Sequence, residues 1–310
     1  MTGISSLGLI CSILLIFPSW SEGFAPPMNI MNMTLTQLNI YRDHVRIAMS
    51  TGRYKEVAGA HGLPKELCVH GDINFLPWHR DHLKYMEAAL NHSIPYWDWS
   101  SDSVPLAFLE NNYTDASGQT WPNPLKSGWR PPSGMTTRDI VPSFPTIQLA
   151  EAEALAMSRN DMVNFSNALE DAHNLLHISV SGDMGYLSFA SYDPIFYSHH
   201  KNVDRCWFRW EITASRDLSP FANRSVITSW GSANFIAIAN DYSGWIAPSP
   251  SSPSLSPSPP LNSVSSSTSN TSMGAAPLNS PSNASVSTGG PQNAGSPSMN
   301  PSPGSTGNTV

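Results

Sequence analysis

The chain has 310 residues, a formal net charge of −7 and no cluster of Lys or Arg, which argues against a nucleic-acid partner and favours small molecules. From Pro248 onward the sequence is almost entirely Ser, Pro, Asn, Gly, Thr and Ala, with no charged or aromatic side chain. Such a composition cannot bury enough apolar surface to offset the conformational entropy lost on folding. We therefore predict a disordered tail over 248–310 and one folded domain over 23–247.

Residues 1–22 have the layout of a secretory signal peptide. An apolar run from Leu7 to Phe17 precedes small and polar residues. The run is short for a membrane span, but no Lys or Arg precedes it, so an uncleaved anchor is the alternative. Asn-X-Ser/Thr sequons favour secretion, and they begin at Asn32, Asn91, Asn112, Asn164, Asn223, Asn270 and Asn283. We expect an extracellular protein without stable membrane insertion after signal cleavage.

Apolar residues at spacings of three and four predict a mostly helical domain. The predicted helices lie between the cap Thr34 and Gly52, and over Trp78–Leu90, Gln148–Met157, Asp161–Ile178 and Pro194–Thr213. Three stretches rich in Gly, Pro or aromatic residues are predicted to be irregular, namely 60–64, Ile94–Trp99 and Ser100–Pro145. Because no alternation of period two extends over any length, the predicted fold class is all-α.

Histidines in the second half of the domain suggest a metal site. His173 and His177 are four residues apart in a predicted helix, about 40° apart around its axis, so both imidazoles can bind one ion. In the last helix His200 shares a face with core residues, whereas His199 is expected to be turned about 100° away from that face.

A second set of histidines lies in the first half. His70 and His79 are nine residues apart, and the Gly, Asn and Pro between them break a continuous helix, so the two can converge from separate elements. His61 lies in the loop just upstream. Together with His173, His177 and His200 these imidazoles suggest two metal ions with three ligands each, and the donor type favours copper, zinc or iron. We interpret His44, His82 and His92 as ordinary structural histidines.

Two long segments resemble the copper-binding signatures of the tyrosinase and molluscan hemocyanin family. The first comprises Phe75–Arg80 followed by Glu87, Leu90 and Ile94–Trp99, and the second comprises Leu169–His177, Asp193–His200 and Val203–Arg205. The resemblance implies a four-helix bundle that holds two copper ions, a type 3 centre. It assigns His61, His70 and His79 to the first copper and His173, His177 and His200 to the second. The family usually has a longer insertion before the second ligand, so His44 is the alternative to His61.

Residues around the ligands also match the family. Cys68-Val69-His70 resembles the molluscan branch, where such a cysteine is joined to the histidine by a thioether bond; a disulfide from Cys68 to Cys206, or free thiols, are the alternatives. His199 and Phe196 are expected behind the ligands. Four charged residues match structural positions of the family and are expected to form ion pairs and helix caps: Arg80, Asp98, Asp204 and Arg205.

The resemblance implies that the copper pair binds O2. In tyrosinases an Asn and a Glu, here Asn174 and Glu170, are thought to hold a water that deprotonates the incoming phenol; a charge on the helix surface is the alternative for Glu170. Few ordered residues are expected after Trp210, so we expect no β-sandwich like the one that covers the site in molluscan hemocyanin. We therefore predict a secreted oxidase of monophenols or o-diphenols, including small phenols and protein tyrosines. A hemocyanin-like oxygen-binding module and a matrix protein that retains the domain without turnover are the alternatives.

Overall fold

The computed structural model describes residues 26–214, 217–228, 230–241 and 245. The predicted signal peptide and the Ser/Pro-rich tail lie outside these residues. The described part is mostly helical, as predicted. Its α-helices are α1 (Leu35–Ser50), α2 (Arg53–His61), α3 (Phe75–Leu90), α4 (Thr146–Met157), α5 (Met162–Val180), α6 (Leu187–Ala190), α7 (Ile195–Ala214) and α8 (Phe235–Ala239).

Helix α2 was not predicted. Residues 60–64 were expected to be a loop, yet Ala60 and His61 belong to the helix. Its buried residues Tyr54, Val57 and Ala58 precede His61 with the spacing of a helix face. The loop begins one residue later, at Gly62. A side chain at Gly62 would place its Cβ 2.5 Å from the carbonyl oxygen of Ser188, so this close approach requires glycine. The packing therefore fixes the position at which His61 ends its helix.

Helix α3 begins three residues earlier than predicted. Pro77 was expected to interrupt the helix, but it occupies the third helical position, where a backbone N–H has no partner within the helix. Asn74 precedes the first helical residue. The helix consequently includes Phe75, whose carbonyl oxygen orients one of the candidate metal ligands.

Two short antiparallel hairpins were also not predicted. One pairs β1 (Asn112–Thr114) with β2 (Thr120–Pro122), and the other pairs β3 (Ser225–Thr228) with β4 (Gly231–Asn234). Strands of three or four residues are too short to give a recognisable alternation. The predicted corner at Ile94–Trp99 is irregular, with a single bridge from Tyr96 to Asn29.

The four helices that carry candidate metal ligands, α2, α3, α5 and α7, pack against one another. Helix α3 contacts α2, α5 and α7, and α5 also contacts α7. Whether they form the family's four-helix bundle stays a prediction. The ion pairs expected from the sequence are present: Arg80 Nε lies 2.5 Å from Asp204 Oδ1 between α3 and α7, and Arg205 Nη1 lies 3.1 Å from Asp98 Oδ2. No helix in the described ranges is long and apolar enough to cross a membrane.

The irregular segment before α4 is tied to the start of α7 by one buried arginine. Arg138 donates through Nε and Nη2 to the carboxylate of Asp193, at 3.0 and 2.5 Å. Its remaining donors reach the carbonyl oxygens of Phe108 and Leu125. Asp193 in turn accepts a hydrogen bond from the backbone N–H of Ile195, the first residue of α7. The segment therefore helps to place the helix that carries His199 and His200.

Candidate metal centre

One group of histidines comes from α2, α3 and the loop between them. His61 ends α2, His70 lies in the loop, and His79 lies in the second turn of α3. Their ligand nitrogens all lie within 4.8 Å of one another. His61 and His79 are buried and His70 is half-buried. The structure thus brings together the three residues expected to hold one metal ion.

A second group comes from α5 and α7 and contains four histidines. His173, His177, His199 and His200 have ligand nitrogens within the same 4.8 Å of one another. The expectation that His199 is turned away from the core is wrong, because its ring is fully buried and lies 5.0 Å from the ring of His173. Residues 191–204 are all buried, so a rotation of about 100° around α7 leads to another packed face and not to solvent.

Hydrogen bonds fix the tautomer of three ligands. The Nδ1 of His79 lies 2.8 Å from the carbonyl oxygen of Phe75, and that of His177 lies 2.6 Å from the carbonyl oxygen of Met184. The Nδ1 of His173 lies 2.9 Å from Asn174 Oδ1. Because these oxygens only accept, each Nδ1 carries the hydrogen and each Nε2 presents a lone pair. The carbonyls of Phe75 and Met184 gave no signal in the sequence, since backbone groups are the same at every residue.

The Nε2 atoms of the second group converge on one point. His200 Nε2 lies 3.2 Å from His173 Nε2 and 3.5 Å from His177 Nε2. Two nitrogens that bind one ion at about 2.0–2.1 Å in tetrahedral geometry lie roughly 3.3 Å apart. In the first group the Nε2 atoms of His61, His70 and His79 are buried without a hydrogen-bond partner. Buried nitrogens that face one another in this way fit a metal ion.

Burial keeps these imidazoles neutral. It lowers the pKa of His70 to about 4 and that of His177 to about 3. Burial, followed by the neighbouring histidines, holds the pKa of the other group members well below the ordinary value, namely His61, His79, His173, His199 and His200. Neutral imidazole is the form that binds metal, and nitrogen donors of this kind suit copper.

The two groups face each other across a small gap. The rings of His79 and His200 stack with centroids 4.5 Å apart and planes 13° from parallel. Phe196 was expected behind the ligands, and its ring lies 4.0 Å from that of His200 and 4.7 Å from that of His61. Because Phe196 contacts both groups, it helps to set the distance between the two metal positions.

Glu170 is placed beside the first group by a long-range hydrogen bond. Its Oε1 accepts from the backbone N–H of Gly71, at 2.7 Å, next to His70. The side chain is only 7% exposed, so the alternative of a charge on the helix surface is wrong. Burial raises the pKa of Glu170. Asn174 lies one turn further along α5, half-buried, with its Oδ1 bonded to His173.

The remaining candidates lie outside both groups. His44 donates to the carbonyl oxygen of Leu90 and packs against His92, so the structure brings together His61 and not the alternative His44. Cys68 is half-buried and Cys206 is buried, and the two form no disulfide. The thioether between Cys68 and His70 stays a prediction.

Comparison with known proteins agrees with this geometry. The model for the common central domain of tyrosinase matches residues 51–145 and 136–213, the part of the chain that carries both histidine groups. Hemocyanin 2 of Megathura crenulata is 31% identical over 206 residues, which cover 59% of this chain and 6% of that protein. The hemocyanin 2-c chain of the same organism is 30% identical over 235 residues, which cover 64% of this chain and 56% of that one. The chain thus spans little more than half of the second relative and a small part of the first.

Solved structures show the same fold. Deoxygenated hemocyanin from Rapana thomasiana has a TM-score of 0.58 at 22% identity, with 66% of this chain and 61% of that chain covered. A tyrosinase from Burkholderia thailandensis has a TM-score of 0.53 at 20% identity, with 63% and 64% covered. The matched domain spans more than half of the chain, and the two histidine groups fit the two copper ions that the family binds. The chain therefore belongs to the tyrosinase and hemocyanin family of type 3 copper proteins.

Proposed function

We propose that this protein is a copper-dependent phenol oxidase, which uses O2 to convert monophenols and o-diphenols into o-quinones. The observation that carries the proposal is the pair of polar residues beside the ligands, Asn174 bonded to His173 and Glu170 bonded to Gly71. An oxygen carrier has no need of a group that removes a proton from a phenol. A buried carboxylate next to the metal centre suits that task.

Six histidines are proposed to hold the copper ions. They are His61, His70 and His79 for one ion and His173, His177 and His200 for the other. We favour His200 over His199 because its Nε2 lies within 3.5 Å of the Nε2 atoms of both His173 and His177. The copper pair, when bound, supplies the binding and activation of O2.

The protein's own groups would then prepare the phenol. The amide oxygen of Asn174 is used by His173, which leaves its Nδ2 hydrogens to orient a water molecule. Glu170 uses Oε1 for Gly71, which leaves Oε2 to accept a proton from that water as the water takes one from the phenol. The raised pKa of Glu170 makes its carboxylate a stronger base than an ordinary one.

The burial pattern offers a direction from which a phenol approaches. His70 and Asn174 are half-buried, whereas His61, His79, His173, His177 and His200 are buried. His70 and Asn174 both lie beside His173, since the ring of His70 is 5.6 Å from that of His173 and Asn174 is hydrogen-bonded to it. Glu170 contacts the same region through Gly71, the neighbour of His70. A phenol entering there meets the proposed base before it meets the copper ions.

Reversible O2 binding without turnover is the second candidate, favoured by the 31% identity to a hemocyanin. Full-length, copper-loaded protein should be given a monophenol and, separately, an o-diphenol, with O2 consumption and quinone absorbance recorded. Glu170→Gln should lower monophenol turnover by about 100-fold or more and affect the diphenol much less. Asp171→Asn, which changes the exposed neighbouring carboxylate, is the matched control.

The outcomes separate the candidates. O2 binding that reverses under vacuum, with no quinone from either phenol, would identify a carrier. Protein that binds no copper would leave only a structural role in an extracellular matrix. Equal turnover of both phenols by the Glu170→Gln variant and the unchanged protein would remove Glu170 from the mechanism.

We also propose that the protein is secreted and carries N-linked glycans. All sequon asparagines within the described residues are exposed, namely Asn32, Asn91, Asn112, Asn164 and Asn223. Protein recovered from the culture medium of a eukaryotic host should lose mass on treatment with a peptide N-glycosidase. Retention inside the cell with no change in mass would contradict both parts of this proposal.

A further inference from the structure

A row of aromatic side chains runs along α3 from the first histidine group. Trp78, His82 and Tyr85 follow one another at spacings of four and three, so they share one face of the helix. Trp230, in the turn between β3 and β4, packs onto that face. None of these four side chains is a candidate metal ligand or takes part in the proposed phenol chemistry.

The distances between neighbouring rings are short along the whole row. The ring of Trp78 lies 4.9 Å from that of His79 and 5.8 Å from that of His61. His82 stacks on Trp78 at 5.1 Å and lies 5.8 Å from Trp230. Trp230 stacks on Tyr85 at 3.8 Å with planes 12° from parallel. The row therefore connects the proposed copper ligands His61 and His79 to Tyr85, and each ring centroid lies within 5.8 Å of the next.

Burial changes along the row. Trp78 and His82 are buried, and neither the indole nitrogen of Trp78 nor either ring nitrogen of His82 has a hydrogen-bond partner. Trp230 and Tyr85 are half-buried, so the far end of the row reaches solvent. Water can therefore take up a proton at that end of the row.

Tryptophan and tyrosine are among the side chains most easily oxidised by one electron, and electrons pass rapidly between rings in contact. We propose that Trp78, His82, Trp230 and Tyr85 form an electron relay. When no phenol is bound, the relay carries electrons from Tyr85 to the oxidised copper centre and so reduces it. The inference rests on the proposed function, because the copper pair oxidised by O2 is the oxidant.

Each transfer balances as a one-electron step. Tyr85 loses an electron and its hydroxyl proton and becomes a phenoxyl radical; the electron would be taken up at the copper pair oxidised by O2, and the proton passes to solvent at the exposed end of the row. Two such electrons and four protons would complete the reduction to water of the O2 that the copper pair has already reduced by two electrons. A one-electron reductant in the medium, such as ascorbate, returns an electron and a proton to Tyr85. The relay would spare the histidines, which otherwise lie nearest to the oxidant.

The test identifies the residues that become oxidised when no phenol is present. Full-length, copper-loaded protein is reduced, exposed to O2 and frozen, and radicals are recorded by electron paramagnetic resonance with and without deuterated tyrosine. Oxidised residues are then located by peptide mass spectrometry. We expect a tyrosyl signal that is lost in Tyr85→Phe, and oxidation products on Trp230 and Tyr85.

Trp230→Leu should interrupt the relay and move the products to Trp78 and the histidines of the first group. Matched controls are Tyr186→Phe and Trp129→Leu, which alter exposed aromatic residues outside the row and should change neither readout. Copper content of each variant, measured beside them, shows that the centre is intact.

Two results would overturn the relay. Protein that forms quinones from an added phenol, yet oxidises Tyr85 and Trp230 no more than Tyr186 and Trp129, disproves the relay and leaves the proposed function standing. Protein that forms neither quinones nor aromatic oxidation products disproves both.

Discussion

The Nε2 atoms of His173 and His200 lie 3.2 Å apart, while the Nδ1 of His173 is held by Asn174. Neutral His173 therefore points a lone pair at His200, and His177 does the same from 3.5 Å because its Nδ1 is held by the carbonyl oxygen of Met184. One hydrogen on His200 can satisfy only one of these two lone pairs. A metal ion satisfies all three nitrogens at once, which is why we expect this arrangement to bind copper strongly.

His200→Ala should accordingly reduce the copper content from two ions to about one per chain, because it removes the nitrogen that lies within 3.5 Å of the Nε2 atoms of both His173 and His177. His79→Ala should empty the other position in the same way. Atomic absorption after exhaustive dialysis gives the stoichiometry. His44→Ala is the control, and a loss of copper in that variant would restore His44 as a ligand in place of His61.

Local patterns predicted the elements that carry the ligands but not all of their surroundings. The spacing of His173 and His177, and the signature around His79, placed them on helices correctly. The helical spacing from Tyr54 to His61 was present but was not recognised, and the Gly and Pro that follow His61 led to the prediction of a loop at 60–64. Propensity marks such residues as breakers, yet it does not say on which side of them the helix ends.

Contacts distant in sequence were beyond local patterns. Glu170 and Gly71 are 99 residues apart, and only the packing of α5 against the loop before α3 brings them together. His199 was misplaced for a related reason. A helical face that points away from one core can point into another, because α7 is buried all around at that level.

The metal-free protein should be sensitive to acid. The two groups contain histidines whose pKa is lowered by burial, from 6.5 to about 4 for His70 and about 3 for His177. Between pH 6.5 and the folded-state pKa, the unfolded chain binds protons that the folded chain does not. The free energy of unfolding is therefore highest above pH 6.5 and decreases as the pH is lowered toward the folded-state pKa. Each such group contributes a slope of up to about 1.4 kcal/mol per pH unit.

We therefore expect the urea midpoint of the metal-free protein to fall steeply between pH 6.5 and pH 4, as followed by circular dichroism. Copper binds the neutral imidazoles, so the copper-loaded protein should keep its midpoint to a lower pH. A midpoint that does not change over this range in the metal-free protein would mean that the histidines are not buried in the neutral form.

The ion pair between Arg138 and Asp193 should be important for stability. Asp193 is fully buried and Arg138 is 6% exposed, so removing the guanidinium leaves a buried carboxylate without its partner. Arg138→Met should lower the free energy of unfolding by roughly 3–5 kcal/mol. Arg224→Met removes the exposed pair with Asp72 and should cost about 0–1 kcal/mol.

Denaturant unfolding of both variants measures the difference. Asp193→Asn in the Arg138→Met background removes the buried charge and should recover part of the loss, although Asp193 also accepts a hydrogen bond from Ile195 at the start of α7. Equal effects of Arg138→Met and Arg224→Met would show that the irregular segment does not hold α7 in place.

The predicted thioether has a chemical signature that does not depend on activity. Burial raises the pKa of a free Cys68 thiol to about 12, so alkylation of the folded protein would be slow whether or not the bond exists. Alkylation in denaturant should therefore modify Cys206 and leave Cys68 unmodified. The peptide that contains Cys68 and His70 should be lighter by two hydrogen atoms, one from sulfur and one from the ring.

Loss of these hydrogens is a two-electron oxidation, so the bond needs an oxidant. Protein produced without copper should lack it, and Cys68 should then be alkylated in denaturant together with Cys206. Cys68→Ser prevents the bond without removing the imidazole of His70, and copper content should remain near two ions per chain. Alkylation of Cys68 in the copper-loaded protein would show that this chain leaves the cysteine free, and that His70 is held in place by packing against Phe75 and His79 alone.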